Sequence, residues 1–169
     1  MGILKERFAS KFETVSTEIK EIIKEHGNKK IGEVSLSQVY QGMRGITGLV
    51  TETSLLDSQE GIRFRGYTIP ELQEKLPKAP NGTEPLPEGL LYLMLIGNLP
   101  TAEDVQHVTN VLQRRSHVPS HVFATIEALP ISSHPMTQFV VGIMALQTES
   151  EFAKKYAKSM RKKDYWEAT

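Results

Sequence analysis

Gly42-Met43-Arg44-Gly45-Ile46-Thr47-Gly48 is the run of this 169-residue chain best suited to holding an anion. Glycines let backbone amides approach an anion closely, and the Arg44 guanidinium offers a planar fork that matches phosphate oxygens. The same residue types also suit a tight connector whose arginine pairs with an aspartate or glutamate, so residue types alone leave both readings open. A second cationic run, Arg161-Lys162-Lys163, follows an amphipathic segment. Cations near a helix C-terminus complement its dipole, which accounts for that run without a ligand.

Other reactive side chains do not assemble into a known pattern. His117 and His121 are four apart, as two ligands on one helix face are, but Pro119 lies between them and no glutamate follows His117 as in a zinc-protease motif. His134, before a proline, reads as structural. The sequence contains neither G-x-S-x-G nor a phosphate loop ending in Gly-Lys-Ser/Thr. Glu52 and Glu60 flank a strand-like stretch and read as solvated or salt-bridged. Arg63 and Arg65 share one face of that stretch, and a carboxylate partner is their expected role. With no cysteine, disulfides, thiolate nucleophiles and cysteine metal sites are excluded.

The elements that must carry these residues are mostly helical. Leu4, Phe8, Phe12, Val15, Ile19, Ile22 and Ile23 recur at spacings of three and four, which predicts a long amphipathic helix stopped at His26-Gly27-Asn28. Ser35 with Gln38 forms a capping-box pattern and opens a short helix through Tyr40. Leu49–Leu56 is compatible with a strand, Asp57–Gly61 with a turn, and Ile62-Arg63-Phe64-Arg65 alternates with period two. A small β-ribbon near residues 48–65 is therefore expected, with no other sheet. Thr68 with Pro70 and Glu71 starts another helix. The four prolines of residues 77–87 demand a loop. Glu88–Ile96 is apolar almost all round and predicts a buried helix. Thr101 opens a helix with Val105, Val108 and Leu112 on one side. Pro119 and Pro130 bracket a further helix, and His134 begins another in which Gly142 and Ala145 permit close approach of a neighbour. Thr148 with Glu151 reads as a last capping box.

Composition supports one ordinary globular domain over residues 1–169. Twenty basic and twenty acidic residues give zero formal charge, which supplies no global field toward nucleic acid or an anionic membrane. The longest apolar run, Leu90–Ile96, is far below the roughly 20 residues a membrane span needs. No nucleic-acid or membrane partner is expected, and Glu6, Glu13 and Glu18 do not fit a transit peptide.

Eight separated segments carry a resemblance: GEVSLSQVYQGMRGITGLV (Gly32–Val50), EGIRFRGYTIPE (Glu60–Glu71), EPLPEGLLYL (Glu84–Leu93), LPTAEDV (Leu99–Val105), VPSHV (Val118–Val122), HPMTQF (His134–Phe139), ALQTESEFAKKYA (Ala145–Ala157) and YWE (Tyr165–Glu167). In this order they resemble the citrate synthase family, in its mitochondrial, eukaryotic branch. The resemblance implies a mostly α fold, with this chain as the N-terminal portion of the family's large helical domain. It also implies condensation of acetyl-CoA with oxaloacetate and water to citrate and CoA, without a prosthetic group.

Arg44, in GMRG, matches a family arginine that contacts the CoA phosphates. Lys162 falls where the family often has a basic residue that reaches a CoA phosphate from the neighbouring subunit, and Arg161 beside it is a substitute. The helices within residues 119–148 resemble those of the family's homodimer interface. The family's catalytic aspartate and two histidines, and its oxaloacetate-gripping residues, belong beyond Thr169, so the chain alone is expected to be inactive. The compartment implied is the mitochondrial matrix. The alternatives are a 2-methylcitrate synthase fragment and a non-catalytic dimerising or scaffold module.

Overall fold

The computed structural model describes residues 2–168. The chain forms two compact units, divided after Val111 in the last turn of a helix.

The first unit opens with α1 (Gly2–His26), the long helix that the 3–4 spacing predicts. Its end is closed by the Gly27 amide, which donates to the Ile23 carbonyl at 2.9 Å. Helix α2 (Leu36–Tyr40) follows, with both halves of the Ser35–Gln38 capping box formed. Strands β1 (Ser54–Asp57), β2 (Gly61–Phe64) and β3 (Tyr67–Thr68) make one antiparallel sheet in that order. The turn between β1 and β2 is closed by Asp57 Oδ1, which accepts from the amides of Gln59 (2.7 Å) and Glu60 (2.9 Å). Helices α3 (Ile69–Lys75), α4 (Pro87–Ile96) and α5 (Ala102–Arg114) complete the series, and Thr68 with Glu71 caps α3 as its sequence requires.

The sheet departs from expectation at both ends. Leu49 and Val50 are 81% and 84% exposed and lie outside it, because β1 begins only at Ser54, where pairing with Phe64 starts. β3 was not legible as a strand: it is two residues long and owes its place to a two-residue turn, with φ +48° at Arg65 and +88° at Gly66. Two consecutive positive φ values define the hairpin turn whose twist matches the flanking strands. Arg65 is therefore a turn residue, not a partner of Arg63 on one strand face. Arg63 does find its carboxylate, Glu60, at 2.9 Å. The Arg65 fork goes mainly to a carbonyl: Nη2 and Nε donate to Met94 O at 2.7 and 3.2 Å, with the Glu52 carboxylate farther away at 3.8 Å.

Helix α4 is the centre of this unit. On one side Leu93 packs with Leu72 of α3 and with Leu76, which caps the end of that helix, joined by Phe64 and Tyr67 from the sheet. On the other, Tyr92 and Ile96 pack with Val108 of α5, where Leu4 and Phe8 of α1 also reach. The polar counterpart is a cluster at the α1–α5 contact. Arg7 donates to the Tyr92 hydroxyl and the Asp104 carboxylate, while Asp104 Oδ2 accepts from the Thr101 amide (3.0 Å) and hydroxyl (2.9 Å). Asp104 thus caps α5 and ties it to α1. Burial works against its charged form, but the hydrogen bonds from Thr101 and Arg7 outweigh burial and hold its carboxyl below the usual range.

The second unit contains α6 (Ser120–Glu127), α7 (Pro135–Ala145), a 3-10 turn (Leu146–Glu149), α8 (Glu151–Ala157) and a final 3-10 turn (Lys162–Glu167). Gly142 makes the close approach anticipated for it. A Cβ there would stand 2.9 Å from Ile126 Cδ1, so α6 rests directly on the α7 backbone. The expected Thr148–Glu151 box is corrected: Ser150 caps α8, its hydroxyl accepting from the Ala153 amide at 3.1 Å. Thr148 sits in the 3-10 turn and turns its hydroxyl back to the Ala145 carbonyl. Among the described residues, no helix is long and apolar enough to cross a membrane.

The depressed Asp104 carboxyl fixes a sign. Its contribution is complete above the unfolded-chain value of about 3.9 and is lost as pH falls through the lower folded value. Asp104→Asn is expected to cost roughly 1.5–3 kcal/mol at pH 7. It should also shallow the fall in stability between pH 4 and 2, as read by urea unfolding across that range. A parallel loss in variant and parent on acidification would remove Asp104 as the cause.

Candidate functional site

Arg44 lies in the turn that closes α2. The Met43 amide donates to the Gln38 carbonyl at 2.8 Å and the Ile46 amide to Met43 O at 3.3 Å. Gly42, Met43 and Gly45 all have positive φ, at +74°, +62° and +72°. Glycine adopts this region without cost, which explains two of the three, whereas Met43 is strained by its side chain. These angles close the chain on itself, and the Gly42, Met43 and Ile46 amides are used inside the turn, donating to Val39 O (3.4 Å), Gln38 O (2.8 Å) and Met43 O (3.3 Å), so the group the turn leaves for an anion is the Arg44 guanidinium. Arg44 is exposed, and among the described residues no carboxylate pairs with it. The connector reading, in which Arg44 is used up by an internal ion pair, is therefore not the observed arrangement.

The turn is held from its own side. Gln38 Oε1 accepts from the Ser35 amide at 2.9 Å, completing the cap, and Gln38 Nε2 donates to the Arg44 carbonyl at 3.3 Å. The capping box was visible in the sequence. That the same side chain goes on to the Arg44 backbone was not, because the contact needs the left-handed turn at Met43.

Lys162 belongs to the second unit, at the first position of the final 3-10 turn, and it is exposed. Its segment is seated by rings: Tyr165 meets Phe152 at 5.3 Å and Tyr156 at 6.0 Å between centroids, in edge geometry. Arg161 is less free to substitute for Lys162, because its Nε donates to Asp164 at 2.7 Å. Lysine offers a point charge where arginine would offer a fork.

His134 and His121 serve the scaffold. His134 caps α7, with Nδ1 accepting from the Met136 amide at 3.1 Å. His121 stands in α6 with Nε2 3.2 Å from the Ala145 carbonyl at the end of α7, while His117 precedes α6 in a loop, so the two do not share a helix face. Among the described residues, no group of three His, Asp or Glu side chains is placed to hold a metal.

Comparison with known proteins follows the same boundaries. A family model described as "Citrate synthase, C-terminal domain" matches residues 42–169, beginning at the glycine that opens the Arg44 turn. Mitochondrial citrate synthase of Saccharomyces cerevisiae is 53% identical over 98% of this chain and 35% of its own length. Mitochondrial citrate synthase of Daucus carota is 55% identical over 89% of this chain and 32% of its own. A mitochondrial 2-methylcitrate synthase of Yarrowia lipolytica is 51% identical over 98% of this chain and 36% of its own. The chain thus spans about a third of the length of the curated relatives it matches. With the family model running from Gly42 through the aromatic-seated turn of Lys162, the chain belongs to the citrate synthase family.

Proposed function

We propose that this chain is the N-terminal portion of the large domain of a citrate synthase, and that its own part in the reaction is to hold CoA phosphates. The full reaction joins the methyl carbon of acetyl-CoA to the carbonyl carbon of oxaloacetate. Water then cleaves the thioester to give citrate and free CoA. The observation that carries the reading is the unpaired, exposed Arg44 on its left-handed turn, at the start of the family match. Lys162 is the second cation, acting from the neighbouring subunit. The relatives' names support the mitochondrial matrix as the compartment.

The chemistry of bond making is assigned to residues beyond this chain. Abstracting a methyl proton and polarising a ketone need an acid and a base placed together within hydrogen-bond reach of substrate. His121 and His134 are instead spent on α7, as described above. The Yarrowia relative keeps 2-methylcitrate synthase as a second reading, since the same phosphate grip serves propionyl-CoA.

Dimerisation through the helices of residues 119–148 is the partner we infer. α7 contains no charged residue, and Met136, Phe139, Val140, Ile143 and Met144 occupy positions i, i+3, i+4, i+7 and i+8 of one helical stripe, each more than half exposed. A stripe of this kind on a soluble helix marks an interaction face.

Three outcomes are expected. Purified chain given acetyl-CoA and oxaloacetate should release no CoA thiol, a clean assay because the chain has no cysteine of its own. Sustained thiol release with matching citrate would place the catalytic groups inside residues 1–169. Arg44→Ala should weaken CoA binding by about tenfold in titration calorimetry, the loss of a charged hydrogen bond. Equal affinities would remove Arg44 from the site. Sedimentation equilibrium should give twice the 19.0 kDa chain mass, and Ile143→Glu should halve it. A parent chain that stays monomeric at every concentration would discard the α6–α7 interface.

A further inference from the structure

Gln38 uses every part of its amide group and its own carbonyl around one turn. Oε1 takes the Ser35 amide at 2.9 Å, Nε2 reaches the Arg44 carbonyl at 3.3 Å, and the main-chain oxygen takes the Met43 amide at 2.8 Å. Between these contacts stands Met43, a side-chain-bearing residue at φ +62°. A strained residue of this type persists where its surroundings over-determine it, and here those surroundings are Gln38. Besides Gln38, the turn has its own backbone bonds, from the Gly42 amide to Val39 O at 3.4 Å and from the Ile46 amide to Met43 O at 3.3 Å, and among the described residues no apolar packing adds to them. Leu36, Val39 and Tyr40 of α2 are all exposed, so α2 is not pressed into shape by a core. Further along the segment, Leu49 and Val50 are equally uncovered.

We propose that Gln38 is the positioning residue of the phosphate site: its side-chain donor fixes the Arg44 peptide and so aims the guanidinium. This rests on the reading of Arg44 as a CoA-phosphate ligand. Gln38 touches no substrate. It acts through the Arg44 backbone, holding the left-handed turn in the one arrangement that presents the fork outward.

Gln38→Glu separates this role from helix capping. Glutamate at the third helical position keeps the acceptor for the Ser35 amide, completing the capping box as well as glutamine does. It loses the donor to the Arg44 carbonyl. The measurement is CoA affinity of the 169-residue chain by titration calorimetry for the parent, Gln38→Glu, Arg44→Ala and the double variant. Gln38→Glu alone is expected to weaken binding roughly three- to tenfold with an unchanged thermal midpoint. In the Arg44→Ala background the same change should cost almost nothing, because a residue that acts through Arg44 has nothing left to aim. An equal loss in both backgrounds would mean that the added carboxylate repels phosphate directly, and would overturn the proposal. So would no loss in the parent background when Arg44→Ala itself weakens binding.

If Arg44→Ala leaves CoA affinity untouched, it is the phosphate reading that fails. Hydrogen exchange at the Ile46 amide then decides for Gln38 separately. Faster exchange in Gln38→Glu supports its hold on the turn, and unchanged exchange rejects it.

Discussion

The burial of α4 is the constraint on which the first unit depends. From Gly89 to Ile96 the helix has no charged side chain, and Leu93 is wholly out of solvent. Each such leucine contributes roughly 1.5–3 kcal/mol when fully buried, so the surrounding elements are placed by the need to cover it. α3 and its C-cap supply Leu72 and Leu76, α5 supplies Val105 and Val108, and α1 supplies Leu4 and Phe8. Polar contacts then select one arrangement among those that would cover the helix. Arg7 reaches Tyr92 on α4 and Asp104 on α5 together, which fixes the rotation of α1 about its axis.

Coverage stops short in specific places. α1 follows its amphipathic pattern from end to end, yet while Leu4 and Phe8 join the core, Ile19, Ile22 and Ile23 remain exposed. α2 and α7 are in the same position. Their apolar stripes are as regular as those that are buried, so the sequence prescribes cover that these residues do not themselves provide. This agrees with a chain that spans about a third of its relatives' length.

What could be read beforehand divides along the same physical line. Helix starts were legible because capping is local: Ser35–Gln38 and Thr68–Glu71 each need four consecutive residues and nothing else. α4 was legible from its lack of polar residues. The Arg44 turn was legible as a glycine-rich anion candidate, but its freedom from an internal carboxylate was not, since pairing depends on distant groups. Thr148 misled because Glu151 stands three residues after it, whereas the true cap, Ser150, has Ala153 at that place, and the 3-10 turn that closes α7 shifts the cap by two residues. Arg65 misled for a deeper reason. Alternation over Ile62–Arg65 is a true strand signal, and nothing local announces that Arg65 itself turns into the left-handed region.

That conformation has a cost, and the structure shows what offsets it. A residue with a Cβ loses roughly 1–2 kcal/mol in the left-handed region, and Arg65 is no exception. Its guanidinium, with the side chain 15% exposed, donates twice to Met94 O, one of the carbonyls that the end of α4 leaves without a helical partner. A cation at a helix C-terminus also meets the negative end of the dipole. At the same time the Arg65 amide donates to Thr53 O at 2.8 Å and Nη1 to Glu52 O at 3.4 Å. One strained residue thus closes a hairpin, caps the central helix and anchors the trailing end of the segment that carries Arg44. Glycine would relieve the turn and forfeit the other two attachments, and lysine would keep the charge without the fork. An arginine at a position that ordinarily favours glycine follows from the three demands taken together.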